Sequence, residues 1–202
     1  MTQSVIVFDA FGTLVKIGRR LSPYRSLMTW MRENGRRPSP TDAEFIMSSP
    51  LDLAGIAAVF NMEPPIASLQ RWEGELRIEL DTIKLYPDTL AVIDDLRRKG
   101  YRIGLCSNLA GPYGAPIKAL LPGLNAYALS YEVGAVKPDP AIYQHLLDQL
   151  GCAAGDVVFV GDTPSADVDG PIAFGMSARL INRTAGQTLG DVMEGLPFLA
   201  KR

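Results

Sequence analysis

The hydrophobic pattern opens with Val5-Ile6-Val7-Phe8, an unbroken apolar run that stops at Asp9 and turns through Ala10-Phe11-Gly12-Thr13 to Leu14. A run without alternation suits a strand buried on both faces of a parallel sheet. In open sheets of that kind ligands bind beyond the carboxyl ends of the strands, so Asp9 is expected at the lip of a binding crevice. From about residue 15 to 85 the pattern becomes helical, with Pro-rich turns and no convincing strand. Ser22-Pro23 reads as a helix start, with Tyr24, Leu27, Met28 and Met31 at helical spacing and Gly35 as the stop. Thr41 with Glu44 has the pattern of a capping box. Leu51 to Phe60 reads as a short apolar helix, and Pro64-Pro65 opens a longer one running to about Ile83.

Beyond Tyr86-Pro87-Asp88 strands and helices alternate. A helix with Leu90, Ile93 and Leu96 ends in Arg97-Arg98-Lys99-Gly100, as a helix C-terminus prefers. A strand (102–106), a helix (116–121) and a short strand (127–130) come next. A helix capped by Asp139-Pro140 carries Ile142, Leu146, Leu147 and Leu150 and stops at Gly151. The strand 157–160, a helix over about 167–174, the strand 178–181 and a short helix near 189–193 complete the pattern. This alternation predicts an α/β fold with a parallel sheet and right-handed crossovers. The sheet core is assigned to residues 1–14 and 86–202, and 15–85 to an all-helical insertion.

Composition narrows the class. At 47% hydrophobic and 21% charged residues the chain is an ordinary globular protein rather than a disordered or fibrous one. A net charge of −2 gives no basic field for nucleic acid or an anionic membrane surface. No apolar run approaches the roughly 18 residues of a membrane span, and strand-like sequence begins without an export signal. Cys106 and Cys152 form no disulfide framework or metal pattern and are read as packing residues of a cytoplasmic protein. His145 is the only histidine, which excludes Ser-His-Asp chemistry and multi-histidine metal sites.

The polar residues at the strand ends are of a coherent kind. The first strand supplies Asp9 and Thr13, and the second supplies Ser107 and Asn108. Lys137 stands before Pro138 and its helix, and the last of the group ends Gly161-Asp162-Thr163-Pro164-Ser165-Ala166-Asp167. Singly, each has a bland reading as a cap, a turn former or a solvated charge. Together they make a site for an anionic group and a hard divalent cation. Phe8-Asp9-Ala10-Phe11-Gly12-Thr13-Leu14, Ser107-Asn108, Lys137-Pro138 and Gly161-Asp162 through Asp167, with Gly170 and Gly175-Met176 following, resemble the four ordered motifs of the haloacid dehalogenase (HAD) superfamily. The resemblance covers the whole core and implies a Rossmann-like parallel sheet, with residues 15–85 as an inserted helical cap.

In most of that family the chemistry is phosphoryl transfer. The resemblance then makes Asp9 the nucleophile that becomes an aspartyl phosphate, and Lys137 its charged partner. Gly12, Thr13, Ser107 and Asn108 would contact substrate. Mg²⁺ would be held by Asp9, the backbone carbonyl of Phe11, Asp162 and Asp167. Such a cation takes oxygen ligands, and phosphoryl transfer is mostly positioning and charge neutralisation.

One position departs from the pattern. The family's phosphatases usually carry a second Asp two residues after the nucleophile, as acid and base; here it is Phe11. That loss removes a contribution of typically 10²–10⁴-fold, so leaving groups of low pKa would suffer least. An aromatic there is similar to the family's 2-haloacid dehalogenases, which attack carbon without a metal and use a cap arginine for the substrate; Arg19, Arg20 and Arg25 are candidates. Against that reading stand Asp162 and Asp167, whose charges would oppose Asp9 unless a metal compensated them. Hydrolysis of a small phosphorylated metabolite is the leading expectation. Dehalogenation of a halogenated acid is the first alternative, and a catalytically feeble binding protein the second. Trp30, Met28, Met31 and Phe45 are read as cap core or pocket lining, and either a monomer or a homodimer is compatible.

Overall fold

The computed structural model describes residues 4–195; residues 1–3 and 196–202 of the expected core lie outside that range. Strand β1 (Val5–Phe8) turns into the short β2 (Val15–Ile17). Helices α1 (Pro23–Glu33), α2 (Asp42–Met47), α3 (Leu53–Val59) and α4 (Ile66–Asp81) follow, and β3 (Ile83–Leu85) returns the chain. Alternation then sets in with α5 (Thr89–Arg98), β4 (Arg102–Ser107), α6 (Gly114–Leu120), β5 (Ala126–Leu129), α7 (Ser130–Val133) and α8 (Pro140–Leu150). The last elements are β6 (Val157–Gly161), α9 (Gly170–Ala173), β7 (Ser177–Leu180) and α10 (Leu189–Met193).

Five strands form a sheet in the order β5-β4-β1-β6-β7, and every neighbouring pair is parallel. Strand β1 is central, with β4 and β5 on one side and β6 and β7 on the other, so the sheet's switch point lies at its carboxyl end. The unbroken apolar run has its reason here. Ile6 and Phe8 pack on one face with Ile103, Leu105, Val158 and Val160. Val5 and Val7 pack on the other with Cys106, Val157 and Phe159, beneath Ile142, Leu146 and Leu150 of α8. Each such side chain stabilises the fold by roughly 1.5–3 kcal/mol when fully buried.

The first of these clusters continues into the helical segment, through Leu27 and Met31 of α1, Ile56 of α3, and Trp72 and Leu76 of α4. Met28, Trp30 and Phe45 pack against it, so those apolar positions are core of the segment rather than part of the cavity around the acids. Among the described residues no helix is long and apolar enough to cross a membrane.

Several expectations are corrected. The stretch 15–85 is not all helical, because β2 and β3 pair antiparallel, Val15 opposite Leu85 and Ile17 opposite Ile83. Each strand is three residues long and finds its partner far along the chain, so no local period announces it. Thr41 makes no capping bond; Asp42 instead accepts from Ser39 N–H and pairs with Arg36 at 2.6 Å. Ser22 precedes α1 but its side chain does not cap. Leu90 is 53% exposed, and Thr89, Ile93 and Leu96 form the buried face of α5. The helix expected from about residue 167 begins earlier, as a π-helical turn over Pro164–Asp169, and the short α7 was not expected.

Candidate active site

Register places the acids. Phe8 lies opposite Leu105 on β4 and Val160 on β6, and Asp9 N–H donates to the Val160 carbonyl at 2.9 Å. Asp9 therefore stands one residue past the sheet, beside the ends of β4 and β6 where Ser107 and Asp162 emerge. The π-helical turn carries Asp167 back over the end of β6. Thr163 N–H donates to Asp167 Oδ2 at 2.9 Å, while Asp167 N–H donates to the Thr163 carbonyl at 2.8 Å. π-Helical turns occur often at functional sites.

Two glycines make the approach of these carboxylates possible. Gly12 has φ +76°, and a Cβ there would fall 1.9 Å from Asp162 Oδ2. At Gly161 a Cβ would fall 2.3 Å from the Asp167 carboxyl carbon. Oxygens of Asp9, Asp162 and Asp167 lie within 4.8 Å of one another, the only acidic cluster of this kind among the described residues.

Lys137 sits in the middle of this charge. Its Nζ donates to Asp9 Oδ1 at 2.7 Å and to Asp167 Oδ1 at 2.6 Å, and its side chain is 2% exposed. Its path is set by Asn108, whose Nδ2 donates to the Lys137 carbonyl at 2.9 Å and whose Oδ1 accepts from Lys137 N–H at 2.7 Å. Burial pushes the Asp9 carboxyl up to about 6; Lys137 pulls against that rise and the Asp167 carboxylate adds to it. The two carboxylates hold the Lys137 ammonium above its ordinary range against the opposing effect of burial. Burial, with Asp167 adding to it, also raises Asp162. Removing one partner from a buried charge cluster typically costs about 3–5 kcal/mol, so these groups stand or fall together.

A cavity of about 380 Å³ opens over the acids, lined by Asp9, Phe11, Gly12, Ser107, Lys137 and Asp162, among others. That volume suits a small substrate. From the helical segment it receives Arg20 and Met47. Arg20 makes no hydrogen bond or ion pair with any other described residue. A comparable cavity of about 350 Å³ between α1 and α4 is lined by Trp30, Trp72, Arg25 and Arg71 and has no carboxylate cluster.

Most of the expected residues are thus brought together: Asp9, Phe11, Gly12, Ser107, Asn108, Lys137, Asp162 and Asp167. Thr13 differs from its expected role, and Asn108 has a further one. Thr13 is fully buried and lines no part of this cavity; its carbonyl accepts from Arg183 Nε and Nη2 at 3.1 and 2.7 Å. Asn108 borders the cavity as expected, and its side-chain amide also holds the Lys137 backbone. Arg20 emerges from the group of three candidate arginines. Met47, Tyr113, Glu79 and Arg183 were not foreseen, because no motif marks them. Cys106 is a packing residue, its thiol pushed by burial up to about 12.

Comparison with known proteins agrees with this arrangement. The chain is 29% identical over 144 residues to a glyceraldehyde 3-phosphate phosphatase of Methanothermobacter thermautotrophicus, covering 67% of this chain and 62% of that one. It is 41% identical over 87 residues to a phosphoglycolate phosphatase of Rhodospirillum rubrum, covering 40% of this chain and 35% of that one. These matches span less than two thirds of either relative's length. In fold it resembles a HAD phosphatase from Thermococcus onnurineus, with a TM-score of 0.69 and 24% identity over 98% of this chain and all of that one. The model of the haloacid dehalogenase-like hydrolases matches residues 3–175, a span that contains Asp9, Ser107, Lys137, Asp162 and Asp167, and this chain belongs to that family.

Proposed function

We propose that the protein hydrolyses a small phosphomonoester through an aspartyl-phosphate intermediate on Asp9, with Mg²⁺ as its cofactor. The observation that carries this reading is the set of three carboxylates within 4.8 Å, against a single bridging lysine. One ammonium leaves such a cluster in net negative excess, and an all-oxygen donor set suits a hard divalent cation. Asp9, Asp162 and Asp167, with the Phe11 carbonyl, would hold it. Bound there, the ion would neutralise charge on the transferring phosphoryl group.

The remaining work falls to the chain's own residues. Lys137 engages Asp9 Oδ1, which leaves Oδ2 to attack phosphorus. An oxygen–phosphorus bond forms to Asp9 as the bond to the leaving oxygen breaks, and that oxygen takes the electron pair. Ser107 and Lys137 neutralise and orient the phosphoryl oxygens. Water then attacks the phosphorus of the acyl phosphate, releasing inorganic phosphate and restoring Asp9. Phe11 has no proton to give, so aryl and acyl phosphates should turn over better than alkyl phosphates. The segment 15–85 acts as the cap, and Arg20 faces the far end of the substrate, favouring a leaving group with a second anionic group such as a carboxylate. The relatives' names, a glyceraldehyde 3-phosphate and a phosphoglycolate phosphatase, support phosphate chemistry without fixing the substrate.

Phe11 alone favours a second reading, metal-free dehalogenation. It would leave Asp162 and Asp167 uncompensated beside the nucleophile. The deciding experiment measures phosphate release from an aryl phosphate with Mg²⁺ and with a chelator, beside halide release from a 2-haloacid. Metal-dependent phosphate release is expected; metal-independent halide release would overturn the proposal.

A further inference from the structure

One buried carboxylate has no part in this chemistry. Glu79, on α4, is 1% exposed and forms no ion pair with any described residue. Its carboxylate is nevertheless fully engaged. Oε1 accepts from the backbone N–H of Leu21 and, at 2.5 Å, of Ser22. Oε2 accepts from the Tyr113 hydroxyl at 2.5 Å. A buried carboxylate served only by neutral donors is a costly way to stabilise a fold; what it does well is select one backbone path.

That path is an unusual one. Ser22 has φ 58° and ψ 53°, the left-handed region that a residue with a side chain seldom adopts. Arg20 lies just before it. On its other flank, Gly18 N–H donates to the Thr82 carbonyl at 2.9 Å and Arg19 N–H to Thr82 Oγ1 at 3.1 Å. The end of α4 therefore grips the chain on both sides of Arg20, which lines the catalytic cavity.

Tyr113 joins this grip to the site. It lies between β4 and α6, on the sheet side of the molecule, and its ring stands perpendicular to that of Phe11 with centroids 5.8 Å apart. Burial, reinforced by the Glu79 carboxylate, holds its hydroxyl above the ordinary phenol range, so it remains a donor at any working pH.

We infer that Glu79 is a positioning residue for Arg20. It holds Leu21 and Ser22 in the conformation that presents Arg20 to the cavity, and through Tyr113 it ties that conformation to the support of Phe11. The link to substrate rests on the phosphatase reading above; the link to backbone geometry does not.

The test uses the full chain with Glu79→Ala, Glu79→Gln and Tyr113→Phe, read by amide hydrogen exchange and by kinetics on phosphoglycolate and an aryl phosphate. Glu79→Ala removes both amide acceptors, and exchange at Leu21 and Ser22 should quicken by about 10- to 100-fold, with Ile6 and Leu105 in the sheet unchanged. Glu79→Gln keeps a carbonyl oxygen and should restore most of the protection; Tyr113→Phe should fall between. In the same order, KM for phosphoglycolate should rise, by about tenfold in Glu79→Ala, while kcat on the aryl phosphate stays within about twofold. Glu79→Ala combined with Arg20→Ala should be no worse on phosphoglycolate than Arg20→Ala alone.

Unchanged exchange at Leu21 and Ser22, equal quickening across the sheet, or additive losses in the double variant would each overturn the inference. If the unsubstituted protein releases no phosphate from either compound, the hydrolase reading fails. The exchange measurement then still decides the role of Glu79.

Discussion

At the scale of single residues, crowding and charge dominate. Gly12 is fixed twice, by its positive φ and by the Asp162 oxygen that occupies the space a methyl group would need. Gly12→Ala should lower Mg²⁺ affinity by about 10- to 100-fold, as displaced metal-site geometry usually does, measurable by calorimetric titration; unchanged affinity would mean that Asp162 is not a ligand. Asp9 makes a second prediction. Its carboxyl titrates near 6 because burial favours the neutral form. The folded value lies above the unfolded one of about 3.9, so this group's contribution to stability is full below about pH 4 and is lost as pH rises through 6. In the mechanism proposed above the attacking species is the ionised one, so that proposal predicts that activity falls as pH drops below that range. A cation on the cluster favours the ionised form and should move the midpoint downward. Carboxyl carbon NMR with and without Mg²⁺ measures this, and a midpoint indifferent to the ion would place the metal elsewhere.

At the scale of elements, the loop after β1 is held from a distance. Arg183, past the end of β7, donates to the Thr13 carbonyl, pairs with Asp88 Oδ2 at 2.8 Å, and lies with its guanidinium 4.2 Å from the Tyr86 ring centroid. Leu189 N–H donates to the same Asp88 oxygen at 2.6 Å. One side chain thereby fastens the chain where it leaves the sheet for β2 and where it returns from β3. The Arg183 and Leu189 bonds lower the Asp88 carboxyl against the opposing effect of burial. A depressed carboxyl contributes stability above its unfolded value near 4 and loses it as pH falls through the folded one. Asp88→Asn should thus destabilise the protein by about 1–3 kcal/mol at pH 7, with the difference from wild type shrinking below about pH 4. Denaturant melts at the two pH values test this, and a pH-independent difference would show that packing rather than charge was lost.

At the scale of the whole molecule, the carboxyl ends of the three central strands, β4, β1 and β6, meet at one cavity, and the helical segment adds Arg20 and Met47 to its wall. The site is therefore part of the fold's stability balance. Mg²⁺ at about 100 times its Kd should stabilise the native state by about 2.7 kcal/mol. In a chain of this size that corresponds to a rise in Tm of roughly 5–10 °C. A thermal-shift titration should show that rise in the wild type and lose it in Asp162→Ala; an equal rise in both would remove Asp162 from the metal site.

The sequence by itself determined the five strands of the main sheet, their parallel arrangement and the acids that follow two of them. An apolar run closed by a polar residue is a local signal, and Asp9, Ser107, Lys137 and Asp162 each follow such a run or stand at a helix start. Phe11 was legible there too, but as a departure from the motif of the family the sequence resembles, since its side chain has no ionisable proton to transfer. Only the tertiary structure decided which polar groups face the cavity and which are spent on scaffolding. Asn108 turned out to hold Lys137, Thr13 to serve through its carbonyl, and Arg20 rather than its neighbours to reach the cavity. The β2–β3 ribbon, the Arg183 fastening and the Glu79 grip were invisible for one physical reason. Each joins groups far apart in the chain by a few hydrogen bonds, and such pairings leave no periodicity and no composition bias to read.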